Sequence, residues 1–246
     1  MTGAFRNAYD DAQRAGSYAG LDWPGTYHLA WRELNDLIRP PTRGRRALDF
    51  GCGTGRSTRL LAGLGYEAQG IDISPAMVEQ ARARDPRGDY RVVAADRAPD
   101  LPPGAYALVL ASYTFDNIPL DSRPGLLDAL RRSLEDGGRL VIVASTPLVY
   151  THEWVSFTTA QFPDNRAARD GDRVRIVMLD VPDQRPIEDI LCSDEGHRRL
   201  FRGAGLAVLD VRRPLGRAGE PWRWASEERI APWSIYVLGA SPREGR

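Results

Sequence analysis

The chain has 246 residues, with 33 basic and 33 acidic side chains, a net charge of zero and 42% hydrophobic residues. That length suits one large α/β domain or a domain with an excursion, and the balanced charge gives no electrostatic case for nucleic acid or an acidic membrane surface. All 33 basic residues are arginine, which excludes Schiff-base chemistry and a phosphate-loop lysine, since both need an amine. The two cysteines, Cys52 and Cys192, lie far apart and outside any metal-ligand spacing. The start of the chain is polar, and no run approaches about 18 apolar residues. These features read as a reducing, cytoplasmic setting, with a monomer or homodimer that needs neither nucleic acid nor membrane.

In chain order, Tyr27, Trp31, Leu34 and Ile38 form a helical stripe, stopped by Pro40-Pro41. Residues 47–50 (ALDF) suit a buried strand, 51–55 (GCGTG) a turn, and Arg56 starts a helix running to about Leu64, with Gly65 as its cap. A second strand spans 67–72, after which Ser74 caps a helix with Pro75 in its first turn and Met77, Val78 and Ala81 on one face. Strands follow at 90–94 and 106–111. Leu126, Leu127, Leu130 and Leu134 mark a helix that Gly137-Gly138 should end, and 139–145 is a fifth strand. A helix at 193–204 and strands at 206–211 and 234–238 complete the pattern. Strand and helix alternate as in a seven-stranded, mostly parallel sheet with helices on both faces.

Two stretches stand outside this alternation. Residues 1–43 precede the first strand and predict an N-terminal helical lid; 44–246 would form the main domain. Within it, 146–192 interrupts the chain after the fifth strand as a substrate-cap insertion, and predicts a hairpin of arms 174–181 and 187–191 around Pro182-Asp183-Gln184-Arg185. Long excursions at the ligand edge of a sheet commonly form substrate walls.

The most informative segment is Asp49-Phe50-Gly51-Cys52-Gly53-Thr54-Gly55. Strand, glycine turn and helix place a ligand at the carboxyl end of the first strand. A dinucleotide fingerprint would need a third glycine where Arg56 stands. Asp49 also suits a ligand bearing an ammonium or sulfonium better than one with two phosphates. The D-x-G-x-G-x-G pattern resembles motif I of the class I methyltransferases that depend on S-adenosylmethionine (SAM). Asp72, 21 residues after Gly51, can accept from both hydroxyls of a ribose, and is followed by Ile73. The resemblance implies that Asp96 accepts from the adenine amino group, with Arg97 framing the base. Residues 112–119 (SYTFDNIP) resemble motif IV, where Ser112 would offer backbone contacts and Phe115 an apolar wall. Gly137-Gly138-Arg139-Leu140 resembles a further segment of the family, with Asp136 in place of a proline.

The resemblance covers roughly residues 45–145, and more weakly the last 50; the THEW (151–154) and APW-x-x-YVL segments resemble bacterial small-molecule members. It implies SAM as cofactor, no metal, and methyl transfer to an O, N or activated C of a small molecule, aromatic acceptors included. The implied cofactor residues are Asp49, Gly51, Cys52, Gly53, Gly55, Asp72, Ile73, Met77, Asp96, Arg97, Ser112 and Phe115. His152, Glu153 and Asp116 are candidate catalytic groups, with His28 behind them, and Tyr27, Trp31 and Trp154 are candidate substrate walls. Two rival readings stay open at this point: a nicotinamide oxidoreductase, and a SAM-binding fold that transfers no methyl group.

Overall fold

The computed structural model describes residues 9, 11–21, 24–39, 44–95 and 97–241. Its centre is a seven-stranded sheet in the order β3-β2-β1-β4-β5-β10-β9. The strands are β1 (Arg46–Phe50), β2 (Glu67–Asp72), β3 (Asp89–Val92), β4 (Tyr106–Ser112), β5 (Leu134–Ser145), β9 (Leu206–Arg212) and β10 (Trp233–Ala240). β1 to β5 pair in parallel, and β10 runs antiparallel to both β5 and β9. The helices are α1 (Ala12–Ala19), α2 (Thr26–Leu37), α3 (Arg56–Gly63), α4 (Pro75–Arg84), α5 (Arg123–Ser133) and α6 (Asp194–Gly203).

Side chains alternate across a strand, so one sheet supplies two cores. Ala47, Leu108, Leu110, Val141, Val143 and Ile235 face one side, where Leu29 and Leu34 of α2 and Leu61 of α3 pack on them. Leu48, Val109, Ala111, Ile142 and Tyr236 face the other, against Leu127 and Leu130 of α5 and Phe201 of α6. Each fully buried leucine of these layers contributes about 1.5–3 kcal/mol relative to an exposed one. Helix starts follow local chemistry: Ser74 accepts from the Met77 amide at 3.3 Å and Ser193 from the Gly196 amide at 3.0 Å.

The fifth strand departs from the sequence reading. Leu134 lies in the sheet opposite Tyr106, so α5 ends at Ser133 and not at the glycine pair. The pairing slips between Tyr106 and Leu108, and Gly137 has a φ of +79°. A Cβ on Gly138 would stand 2.9 Å from the carbonyl oxygens of Glu135 and Tyr106. The two glycines therefore make a bulge inside β5. β3 also ends early, at Val92, and Val93 and Ala94 leave the sheet.

The segment after β5 folds a small second sheet of β6 (Phe157–Thr158), β7 (Arg173–Met178) and β8 (Ile187–Ile190), in the order β6-β7-β8. β7 and β8 are antiparallel and shorter than the sequence suggests. Their connection docks on the N-terminal segment instead of turning tightly. The Asp183 amide donates to Ser17 Oγ at 2.9 Å, and Arg185 pairs with Asp11 at 3.0 Å. Pro40 and Pro41 lie outside the described residues.

Candidate functional site

The turn after β1 depends on three glycines in the left-handed region, with φ of +72° at Gly51, +51° at Gly53 and +78° at Gly55. Gly51 and Cys52 donate their amides to the Ile71 carbonyl at 2.8 and 3.0 Å, tying the turn to β2. Asp72, ending β2, accepts from the Gly53 amide and from the Ser74 amide, both at 2.8 Å. Ser74 Oγ in turn donates to the Tyr9 carbonyl at 2.7 Å. A Cβ on Gly53 would meet no atom within 4 Å, so the turn presents open backbone.

A cavity of about 260 Å³ lies along the carboxyl edge of the sheet. One end is lined by Gly51, Gly53, Asp72, Ile73, Met77 and Arg97. Ser112 and Tyr113 continue the wall after β4. The other end is lined by Tyr27, Phe157 and Trp233, with Asp116, Ser145 and Asp189. The Tyr27 ring stacks on Trp233 at 5.9 Å and meets Phe157 edge-on at 5.0 Å. Residues from α2, from the second sheet and from the start of β10 thus converge on the end of the cavity away from the glycine turn.

Several residues singled out in the sequence take other places. Asp49 is fully buried under the turn and accepts from Ser57 Oγ at 2.7 Å and Thr58 Oγ1 at 2.6 Å. It fastens the start of α3 and does not line the cavity. Burial raises its pKa to about 6. Cys52 is buried against Val78, Ala81 and Tyr90, and burial pushes its thiol well above the usual range. Gly55 caps α3, where a Cβ would stand 2.7 Å from the Tyr90 ring. Phe115 is buried behind Phe50, their ring centroids 6.1 Å apart. Asp96 lies outside the described residues.

The candidate catalytic and substrate groups divide in the same way. Asp116 and Tyr27 line the cavity; His152, Glu153, Trp154, Trp31 and His28 do not. His152 Nδ1 lies 3.0 Å from Thr151 Oγ1 and 3.2 Å from the Leu148 carbonyl. Glu153 accepts from the Thr159 amide at 2.9 Å. The Trp154 indole donates to the Val149 carbonyl at 2.9 Å, and Trp31 is buried in the α2 core. His28 lies beside Glu220 at 3.6 Å.

Beside Asp116 stand residues the sequence did not single out. Asp189, in β8, accepts from the Tyr150 hydroxyl at 3.0 Å. Burial and the neighbouring Asp116 raise its pKa to about 7. Asp116, also raised by burial, accepts from the Ser145 amide at 3.0 Å and its hydroxyl at 2.7 Å. Tyr113 has a φ of +58°, the one positive value among the described non-glycine residues. Its hydroxyl is buried with no hydrogen-bond partner among the described residues. Such a backbone costs of order 1–3 kcal/mol and is concentrated at functional sites. Among the described residues no group of three or more His, Cys, Asp or Glu is placed to hold a metal ion.

Residues 47–138 match the model of a methyltransferase domain. Trans-aconitate 2-methyltransferase of Methylobacterium radiotolerans is 32% identical over 204 residues, covering 82% of this chain and 69% of that protein. The chain belongs to the SAM-dependent methyltransferase family. Solved structures share the fold of this methyltransferase. An S-adenosylmethionine-dependent methyltransferase of Listeria monocytogenes, described as putative, superposes with a TM-score of 0.65 at 17% identity, over 92% of this chain and 100% of that one. The DhpI complex with S-adenosylhomocysteine (SAH) gives 0.62 at 17% identity, over 96% and 95%. No helix among the described residues of the enzyme is long and apolar enough to cross a membrane.

Proposed function

We propose that the enzyme binds SAM at the glycine-turn end of the cavity and methylates a small, largely apolar or aromatic molecule held at the other end. The observation that carries this reading is the continuity of one cavity from Gly53 and Asp72 to Tyr27 and Trp233. The near end fits the cofactor. Asp72 offers a carboxylate already oriented by two amides, suited to a ribose diol. The glycine turn lets a ligand come close to backbone, and Ile73, Met77 and Val93 give an adenine apolar walls. Arg97 lines the same end, beside the segment carrying Asp96.

The cofactor, when bound, supplies a methyl group on a positively charged sulfur. The chain supplies alignment and exclusion of water, worth several kcal/mol when the reacting atoms are held in line. Tyr113 and Ser112 stand midway along the wall, where the two ligands would meet. In this reading residues 1–43 and 146–192 act as caps over one SAM-binding domain, because Tyr27 and Phe157, in edge contact with each other, both line the acceptor end. The product cofactor would be SAH, and the accepting atom an O, N or activated C.

The test uses SAM carrying an isotopic label in its methyl group, incubated with the enzyme and the small-molecule fraction of a bacterial extract. Label recovered on a small molecule, with matching SAH, supports transfer. SAM that binds without any SAH forming favours a SAM-binding protein that transfers no methyl group.

A further inference from the structure

The acceptor end has an unusual electrostatic character for a relative of an enzyme named for a polycarboxylate. Two carboxylates, Asp116 and Asp189, line it, with exposures of only 6% and 7%. Ser145, which lines the same end, donates its amide and hydroxyl to Asp116. Asp189 receives one hydrogen bond, from Tyr150 on Oδ2, and its other oxygen has no partner among the described residues. The Arg123 guanidinium lends both acids positive charge, but from beneath the cavity surface and not from its wall. Arg123 lies beneath, fully buried, donating to the Ile118 carbonyl at 2.9 Å and the Ile190 carbonyl at 3.1 Å, and it does not line the cavity. Glu188, the next residue along β8, is paired with Arg173 and adds little to the charge of the site.

The walls around the two acids are aromatic. Tyr113 lies 4.9 Å from Trp233 and 5.5 Å from Tyr27, ring to ring. Its buried hydroxyl lacks a hydrogen-bond partner among the described residues. A buried polar group is rarely left unpaired, and one in a cavity wall is completed by what the cavity holds. A third carboxylate beside Asp116 and Asp189, whose pKa values burial already raises, would be desolvated against two groups that themselves resist ionisation, which is strongly unfavourable. An ammonium there would be paired with carboxylate and faced by ring π-clouds, which attract cations.

Resting on the reading of this end as the acceptor site, we infer that the enzyme selects a small aromatic amine, held through its nitrogen by Asp189 and Asp116 within the Tyr27, Tyr113 and Trp233 rings, and rejects carboxylic acids. The substrate class therefore differs from the tricarboxylate in the name of the Methylobacterium relative.

The test is a calorimetric titration at neutral pH of enzyme saturated with SAH. The probes are phenethylamine, phenethyl alcohol and hydrocinnamate, which share a ring and differ in the polar head, together with trans-aconitate. The amine should bind at least about tenfold more tightly than the alcohol or either acid. Asp189→Asn, which keeps the size and an acceptor for Tyr150, should lose about tenfold or more of amine affinity while SAH affinity stays unchanged. An acid binding as tightly as the amine overturns the inference, as does an Asp189→Asn enzyme with unaltered amine affinity. So does the absence of amine binding at about ten millimolar. Failure of SAH itself to bind would be seen in the first titration and would remove the cofactor reading, and this inference with it. Normal SAH binding without the amine preference removes the inference alone.

Discussion

The carboxylate of Asp72 joins two backbone segments, accepting from the Gly53 amide through Oδ2 and from the Ser74 amide through Oδ1, each at 2.8 Å. One side chain thereby fixes the glycine turn against the start of α4 and faces the cavity. Asp72→Ala should weaken SAH binding by about ten- to a hundredfold, from the loss of charge-assisted hydrogen bonds of about 1.5–3 kcal/mol. Calorimetry checks it. An unchanged affinity would show that Asp72 serves the turn alone.

Asp49 lies beneath the same turn, and its folded pKa of about 6 stands above its ordinary value of 3.8. The folded state therefore holds the proton more tightly than the unfolded chain. The stabilising contribution is full below about pH 4 and is lost as pH rises through about 6. Asp49→Asn removes that dependence. Relative to wild type, the variant should gain up to about 3 kcal/mol on going from pH 4 to pH 7. Denaturant melts of both proteins at the two pH values measure the difference. A constant difference between them would mean that Asp49 is not held protonated by its burial.

Glu227 joins the start of α2 and the segment before β6 to the loop that precedes β10. It is 0% exposed and accepts from Thr26 Oγ1 at 2.6 Å and from the amides of Val155 at 2.8 Å, Ala225 at 2.9 Å and Ser226 at 3.1 Å. Glu227→Ala leaves those donors unpaired and should cost about 3–5 kcal/mol. For a chain of this size that lowers the melting temperature by about 6–20 °C. Calorimetric melting decides it, and a fall of less than about 2 °C would mean that water replaces the carboxylate at no cost.

His152 illustrates what aromatic content in the sequence does not reveal. Its ring is engaged with Thr151 and the Leu148 carbonyl, outside the cavity. His152→Ala should leave turnover within about twofold of wild type, since no contact to acceptor or cofactor is lost. A fall of a hundredfold at unchanged SAH affinity would return it to the reacting centre.

The parts of the site legible in the sequence are those set by local chemistry. Gly51 and Gly53 announce a turn because only glycine adopts their φ cheaply, and Ser74-Pro75 announces a helix start. Strand faces follow from period-two alternation, as at Leu108, Val109 and Leu110. Other features depend on tertiary partners. Trp154 and Tyr27 look alike in sequence, yet the Val149 carbonyl draws the Trp154 indole into the core while Tyr27 reaches the cavity. Asp189 sits in a short alternating strand, Ile187–Ile190, that reads as an ordinary hairpin arm. Only the approach of Tyr150 and Asp116 from distant segments makes it a buried acid. Leu134 could serve as the last helical residue or the first of a strand, and its pairing opposite Tyr106 decides for the strand.

The most direct measurement is the melting temperature of the purified enzyme with SAH and, separately, with NADH. A ligand that binds the folded state at about a hundred times its Kd adds about 2.7 kcal/mol, which is about 5–10 °C for a chain of this size. A cavity built on Gly53 and Asp72 for SAM predicts that shift with SAH and none with NADH. A clear shift with NADH and none with SAH would contradict the assignment of the cavity.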